Sequence, residues 1–201
     1  LEYTSETSFG TTIQHPLVYS LFHTPKLNKM VNKSLNAKKE RLRDSLNKGD
    51  YNQYVFLHEK PYRMNAFLDI YMKLSKKEYY SLLSEIWINL ENIWQYMDIV
   101  PKLLMMYPTH QKWMMNSEDR ATLSSFPSTV EIYRGANNKN KSGWSWTIDF
   151  KKAEWFAKRF NNGGKVYKGI CNKSDIIAYI SERGESEVII DPKKVKLIKD
   201  K

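Results

Sequence analysis

The sequence predicts an α+β protein: a helical N-terminal part followed by a small, mainly antiparallel β core. Two observations carry this. Apolar residues recur at helical spacing between residues 61 and 97. From about residue 129 the chain turns to short apolar runs broken by Gly, Asn and Asp, the texture of strands and turns. A length of 201 residues suits one large domain or two small ones. The change of texture divides the chain into a helical region, 1–125, and a strand-rich core, 126–201.

Residues 1–25 mix Thr, Ser, Gly and aromatics without a clear period. They read as loop with one helical turn over 16–22. Residues 26–47 are basic, and Met30, Leu35, Leu42 and Leu46 mark one face of an amphipathic helix. Gly49 and Asp50 form a turn. Pro61 suits a first helical turn, and Met64, Phe67, Leu68, Tyr71, Met72 and Leu74 give the apolar face behind it. Ser75 and Glu78 have the spacing of a capping box, with Leu74 and Tyr79 as its staple. Tyr79, Leu82, Leu83, Ile86, Leu90, Ile93, Trp94 and Met97 extend the next helix until Pro101 ends or kinks it. A shorter helix over 102–115 is interrupted by Pro108.

Strands follow at 130–133 and 144–148, separated by a polar loop over 137–143. Asp149 can cap a helix over 150–160, with Ala153, Phe156, Ala157 and Phe160 on one face. After a turn at 161–164, strands are expected at 166–171, 176–180, 187–190 and 195–198.

Composition excludes several classes. Hydrophobic residues make up 41% and charged residues 27%, so disordered, collagenous and coiled-coil chains are ruled out. No apolar run reaches the ~20 residues of a membrane span. The net charge of +10 favours an acidic partner: nucleic acid, a dinucleotide, an anionic surface or an acidic protein; solubility alone explains it equally well. Residues 126–201 hold 16 Lys and Arg against 9 Asp and Glu, a denser excess than the 16 against 13 of residues 1–125. The single cysteine, Cys171, excludes an internal disulfide and suits a reducing, cytoplasmic compartment. No basic start leads into an apolar stretch, and secretion behind a removed leader stays an alternative.

His15, His23, His58 and His110 lie far apart, so no metal site is expected. Phosphate-binding and dinucleotide glycine motifs are missing. Cys171 falls within an alternating strand and reads as packing.

Three short elements remain. Tyr133-Arg134-Gly135 closes a strand. In Gly143-Trp144-Ser145-Trp146-Thr147, alternation puts Ser145 and Thr147 on one face and the two tryptophans on the other. Glu185-Ser186-Glu187 leads into an apolar strand. On an extended strand these glutamates share a face about 7 Å apart, an arrangement that stabilises no fold.

In this order the three resemble the Arg–Ser–Glu class of mono-ADP-ribosyltransferases. That family has an arginine at the end of its first core strand, then a Ser-x-Ser or Ser-x-Thr strand followed by a helix, then Glu-x-Glu or Gln-x-Glu before an apolar strand. Residues 131–195, a third of the chain, are also similar in texture to bacterial and phage members, through YRG, GxSWT, AEWFAKRF and GESEVIIDP. Lys-, Asn- and Ile-rich usage agrees with such an origin. There are departures: only ten residues separate Arg134 from Ser145, a shorter gap than in many toxins of the class, and the middle motif is Ser-Trp-Thr, not Ser-Thr-Ser.

The resemblance implies a split β core of ADP-ribosyltransferase type that uses NAD as substrate. It implies that Glu187 stabilises the ribosyl cation, with Glu185 serving the acceptor. Arg134, Gly135, Ser145, Trp146 and Thr147 would form the NAD site, with Arg134 on the phosphates, Ser145 orienting Glu187, and Trp144 or Trp146 stacking on nicotinamide or packing in the core. The implied activity is transfer of ADP-ribose to a macromolecule, a protein ahead of nucleic acid, by an effector acting on host or defence proteins. The helices of 1–125 would recognise the target or cover the cleft. Two alternatives stay open: an NAD glycohydrolase on the same scaffold, and a non-catalytic basic module that binds nucleic acid or protein.

Overall fold

The structure is a computed structural model and describes residues 3–8, 10–90, 93–159 and 163–198. The chain forms two compact units, 1–93 and 94–201. The helices of 94–125, which the sequence groups with the N-terminal part, belong by contact to the second unit.

The first unit opens with a three-stranded antiparallel sheet, β1 (Thr4–Thr7), β2 (Gly10–His15) and β3 (Val18–Ser20). This corrects the expectation of loop and a helical turn over 1–25. The pairing rests on hydroxyls and not on apolar alternation, which is why the usual strand signal is missing. Ser5 faces Thr12 with their oxygens 2.8 Å apart, and the Thr11 hydroxyl donates to Glu6 at 2.7 Å.

Helix α1 (Asn28–Lys48) ends at Gly49, whose φ of 69° closes the last turn. Its inward stripe is Val31, Leu35, Lys38, Leu42 and Ser45. Met30 and Leu46, expected on that face, are 63% and 38% exposed. Asp50 caps α2 (Tyr51–Phe56) by accepting from the Gln53 amide. Pro61 sits in a 3-10 turn ahead of α3 (Arg63–Ile70). Met72, counted with the apolar face, is 71% exposed. The capping box forms with both bonds and starts α4 (Lys76–Asn89). This helix stops short of the expected Met97. The Asn89 side chain donates to the Glu85 carbonyl, and Leu90 turns extended. Phe67, Tyr79 and Tyr80 form the aromatic centre of the unit's core.

In the second unit Pro101 begins a helix where the sequence expects one to end: α5 (Val100–Leu104) carries it in the first turn. A 3-10 segment, Pro108–Met114, follows, and then α6 (Ser117–Ser125), capped by Asn116. The strands are β4 (Thr129–Ala136), β5 (Ser145–Thr147), β6 (Lys165–Asn172), β7 (Ile176–Ile180), β8 (Glu187–Ile190) and β9 (Lys196–Ile198). They form one sheet in the order β7-β8-β5-β4-β6-β9. Every pairing among the described residues is antiparallel. Helix α7 (Phe150–Lys158) is capped by Asp149 and lies against β4 and β6. The expected face residue Phe160 and the first half of the turn after it, 161–162, lie outside the described residues. Ile132, Ala178, Val188, Ile189 and Ile190 are fully enclosed.

The first unit's sheet is tied to its helices around His15. The Leu17 amide donates to Nδ1 of His15 at 2.9 Å, while Lys38 donates to the Leu17 carbonyl and to Glu59. Nδ1 must stay unprotonated to accept. Burial, with Lys39 and His58 adding to it, pushes the His15 pKa below 6.5; burial also lowers His58. The unfolded chain therefore takes up these protons first. The stability these neutral rings confer is full above pH 6.5 and is lost as pH falls through their depressed values. Denaturant unfolding of the first unit between pH 8 and 5 should show this loss. His15→Asn, whose Oδ1 can still accept from Leu17, should flatten the slope.

Candidate functional site

The three singled-out elements lie on neighbouring strands at the centre of the six-stranded sheet. Arg134 is on β4, Ser145 to Thr147 form β5, and Glu187 opens β8. β5 pairs with β8 through Ser145↔Ile189, Trp146↔Val188 and Thr147↔Glu187. β4 and β5 share one pair, Tyr133↔Thr147. Tyr133, Thr147, Glu187 and Ile180 thus form a row across four strands, and Ser145 shares their face.

Arg134 follows Tyr133, so strand alternation sends it off the opposite side from that row. The β4–β5 ladder stops at this point, and the arginine side chain reaches across to β5 instead. Its Nη1 donates to the Ser145 carbonyl, while Nε and Nη2 donate to the Asn140 carbonyl at 3.2 and 3.0 Å. Gly143 lies against the guanidinium, where an added Cβ would collide with it. Burial pulls the Arg134 pKa down to about 10, and the Glu187 carboxylate opposes this. The side chain stays cationic at neutral pH, and the two candidate charges act on each other.

The loop that covers Arg134 is itself ordered by asparagines. The Asn137 amide donates to Asn140 Oδ1 at 2.8 Å, and the Lys139 amide donates to Asn137 Oδ1 at 2.9 Å. Tyr167 on β6 donates to Asn138 at 3.0 Å.

Thr147 joins three parts of the site. Its hydroxyl donates to the Glu185 carbonyl at 2.7 Å and accepts from the Asp149 amide at 3.0 Å. Asp149 in turn accepts from the Lys151 and Lys152 amides and so starts α7. One hydroxyl therefore fixes the glutamate-bearing turn and the helix start together.

Glu185 departs from expectation. It does not continue the strand of Glu187 but ends a 3-10 turn, Glu182–Gly184, with helical φ and ψ. Ser186, at φ 45°, then turns the chain before β8. The two glutamates are therefore not extended neighbours. Glu187 is buried, 6% exposed, whereas Glu185 is half-buried with its carboxylate 3.4 Å from Arg183. The cause is the left-handed backbone at Arg183, Gly184 and Ser186, which alternation cannot foresee.

Trp146 and Trp144 are both buried. The Trp146 indole N–H donates to the Gly143 carbonyl at 3.0 Å, and its ring lies under Gly169. Packing, and not an open stacking face, is what this ring supplies. Gly135 has a comparable duty, because a methyl there would overlap the Ala153 carbonyl and the Ala157 amide of α7. Burial raises the Cys171 thiol to about 11, which leaves it unreactive at neutral pH. Among the described residues no group of three or more His, Cys, Asp or Glu is placed to hold a metal ion, and no helix is long and apolar enough to cross a membrane.

Sequence reasoning missed α6 and its buried Asp119, whose Oδ1 accepts from the Ser181 amide at 3.1 Å. The signal was available: Asn116, followed by Ser117, Glu118 and Asp119, is a helix start with acids in its first turn. Compared with known proteins, the chain matches no family model, no curated protein and no solved structure.

Gly135→Ala should push α7 off β4 and destabilise the second unit by about 1–3 kcal/mol. Thermal unfolding checks this, with the first unit's transition as the internal control.

Proposed function

We propose that this chain is an NAD-dependent mono-ADP-ribosyltransferase of the Arg–Ser–Glu class, with a split core of that type in its second unit and a macromolecular acceptor. The observation that carries the reading is the sheet order. Three motifs separated by up to 53 positions, Arg134 to Glu187, fall on adjacent central strands.

The residues suit NAD. Arg134 commits three of its donors to Asn140 and Ser145, leaving two of about five for a phosphate oxygen. Among the described residues the Ser145 hydroxyl has no hydrogen-bond partner, and it shares the Glu187 face. Cleavage of the bond between nicotinamide and ribose leaves positive charge on the sugar while nicotinamide departs with the bonding pair. A buried carboxylate at Glu187 stabilises that charge more strongly than one in water. The acceptor then bonds to the ribose carbon and gives its proton to Glu185. The first unit, with its basic α1, would meet the acceptor macromolecule.

The hydrolytic alternative draws on the Glu185–Arg183 contact, which engages the acceptor-side carboxylate and leaves water as the simpler nucleophile. Both readings require nicotinamide release. Glu187→Gln should keep the fold and lower that release by about 10²-fold or more. Unchanged turnover by a folded variant would remove Glu187 from the chemistry. Glu185→Gln separates the two readings when labelled-protein formation and free nicotinamide are followed in one preparation. A transferase should lose labelling far more than release; a hydrolase should show no labelling to lose.

A further inference from the structure

We propose that Asp119 of α6, outside the resembling stretch of 131–195, is the positioning residue for the turn that carries Glu185 and delivers Glu187. The proposal rests on the role given to Glu187 above.

The turn between β7 and β8 is not self-supporting. Arg183 and Ser186 hold left-handed φ values of 58° and 45°, which L-residues adopt only when their surroundings impose them. Its own bonds among the described residues are two backbone contacts, Gly184 amide to Ser181 carbonyl at 3.1 Å and Glu185 amide to Glu182 carbonyl at 3.3 Å, and the exposed Arg183–Glu185 side-chain pair at 3.4 Å.

Three bonds from outside hold it. At the exit, the Ile148 amide donates to the Ser186 carbonyl at 3.2 Å. In the middle, Thr147 donates to the Glu185 carbonyl. At the entrance, the Ser181 amide donates to Asp119 Oδ1. The first two come from the sheet side of the site itself. The third comes from a helix that packs on β7.

Asp119 suits this task. It is only 3% exposed, and a buried carboxylate is retained only where something compensates its desolvation. Here the compensation is its place in the first turn of α6, where unpaired amides favour negative charge, together with the charge-assisted bond to Ser181. Asn116 fixes the residue further by accepting from its amide at 2.8 Å. Without this anchor, the chain entering the left-handed turn would keep the β7–β8 ladder and the Gly184–Ser181 bond but lose its tie to α6. Glu187 pairs with Ile180 in the last rung of that ladder, so looseness at Ser181 reaches the carboxylate directly.

The test uses the full chain and removes the bond from either side. Asp119→Ala deletes the acceptor. Ser181→Pro deletes the donor at a residue whose φ of −87° lies just beyond the range proline prefers and follows an extended residue, as proline requires. Asp119→Asn keeps a carbonyl oxygen in place. Nicotinamide release from NAD gives kcat and KM, and amide hydrogen exchange reports on residues 182–187. The expected result is a kcat about 10- to 100-fold lower for Asp119→Ala and Ser181→Pro, with KM within about threefold and faster exchange across the turn, whereas Asp119→Asn keeps kcat and exchange near those of the unmodified protein. Should Asp119→Ala unfold, Ser181→Pro carries the test. Wild-type kcat and exchange in a folded variant, or a change in KM alone, would overturn the proposal. If the unmodified protein releases no nicotinamide, the NAD reading falls and exchange alone decides: acceleration supports the anchor, and unchanged protection overturns it.

Discussion

The second unit depends on how its sheet is joined at the middle. Strands β7, β8 and β5 form one half, and β4, β6 and β9 the other. One backbone pair, Tyr133↔Thr147, connects the halves. Beyond it the guanidinium of Arg134 takes over, bonding the Ser145 carbonyl of β5 and the Asn140 carbonyl of the connecting loop. A planar cation with donors on several edges can replace a stretch of ladder while leaving the strands apart, which a further backbone pair would not allow. The shortness of the β4–β5 ladder and the order of the loop over 137–143 both follow from this join.

The same join explains which parts of the site could be read in advance. Asp149 as a helix cap, the Ser75–Glu78 capping box and the six strands after residue 128 are local signals, set by side chains within four positions of one another. The polar pairing of β1 with β2 has no apolar period, so the N-terminal sheet was hidden. The apolar series ending at Met97 overran α4, because Asn89 turns its amide back on Glu85 and outweighs the pattern beyond it.

At the site, residue types were legible and duties were not. Nothing near Gly135 in sequence announces the backbone of α7 above it, and nothing near Thr147 announces the carbonyl of Glu185, 38 positions away. Trp146 was read as facing away from Ser145, which holds, but its indole proton is engaged by Gly143. The glutamates were placed on one extended segment; left-handed residues between and before them bend that segment, and no periodicity encodes such a bend. Long-range contacts between unlike partners leave no trace in a single sequence.

Gly143 carries one more consequence. It rests so closely on the guanidinium that a side chain there would displace the arginine from its bonds, and it lies nine positions after the arginine and two before the serine. Lengthening the connection between them is accommodated most easily ahead of this point, among the asparagines, because the last steps into β5 lie against the arginine side chain. Distant relatives should therefore differ in how many residues precede this glycine and agree that a residue without a side chain sits there. The spacing from glycine to serine is then a firmer guide to shared ancestry than the distance from arginine to serine.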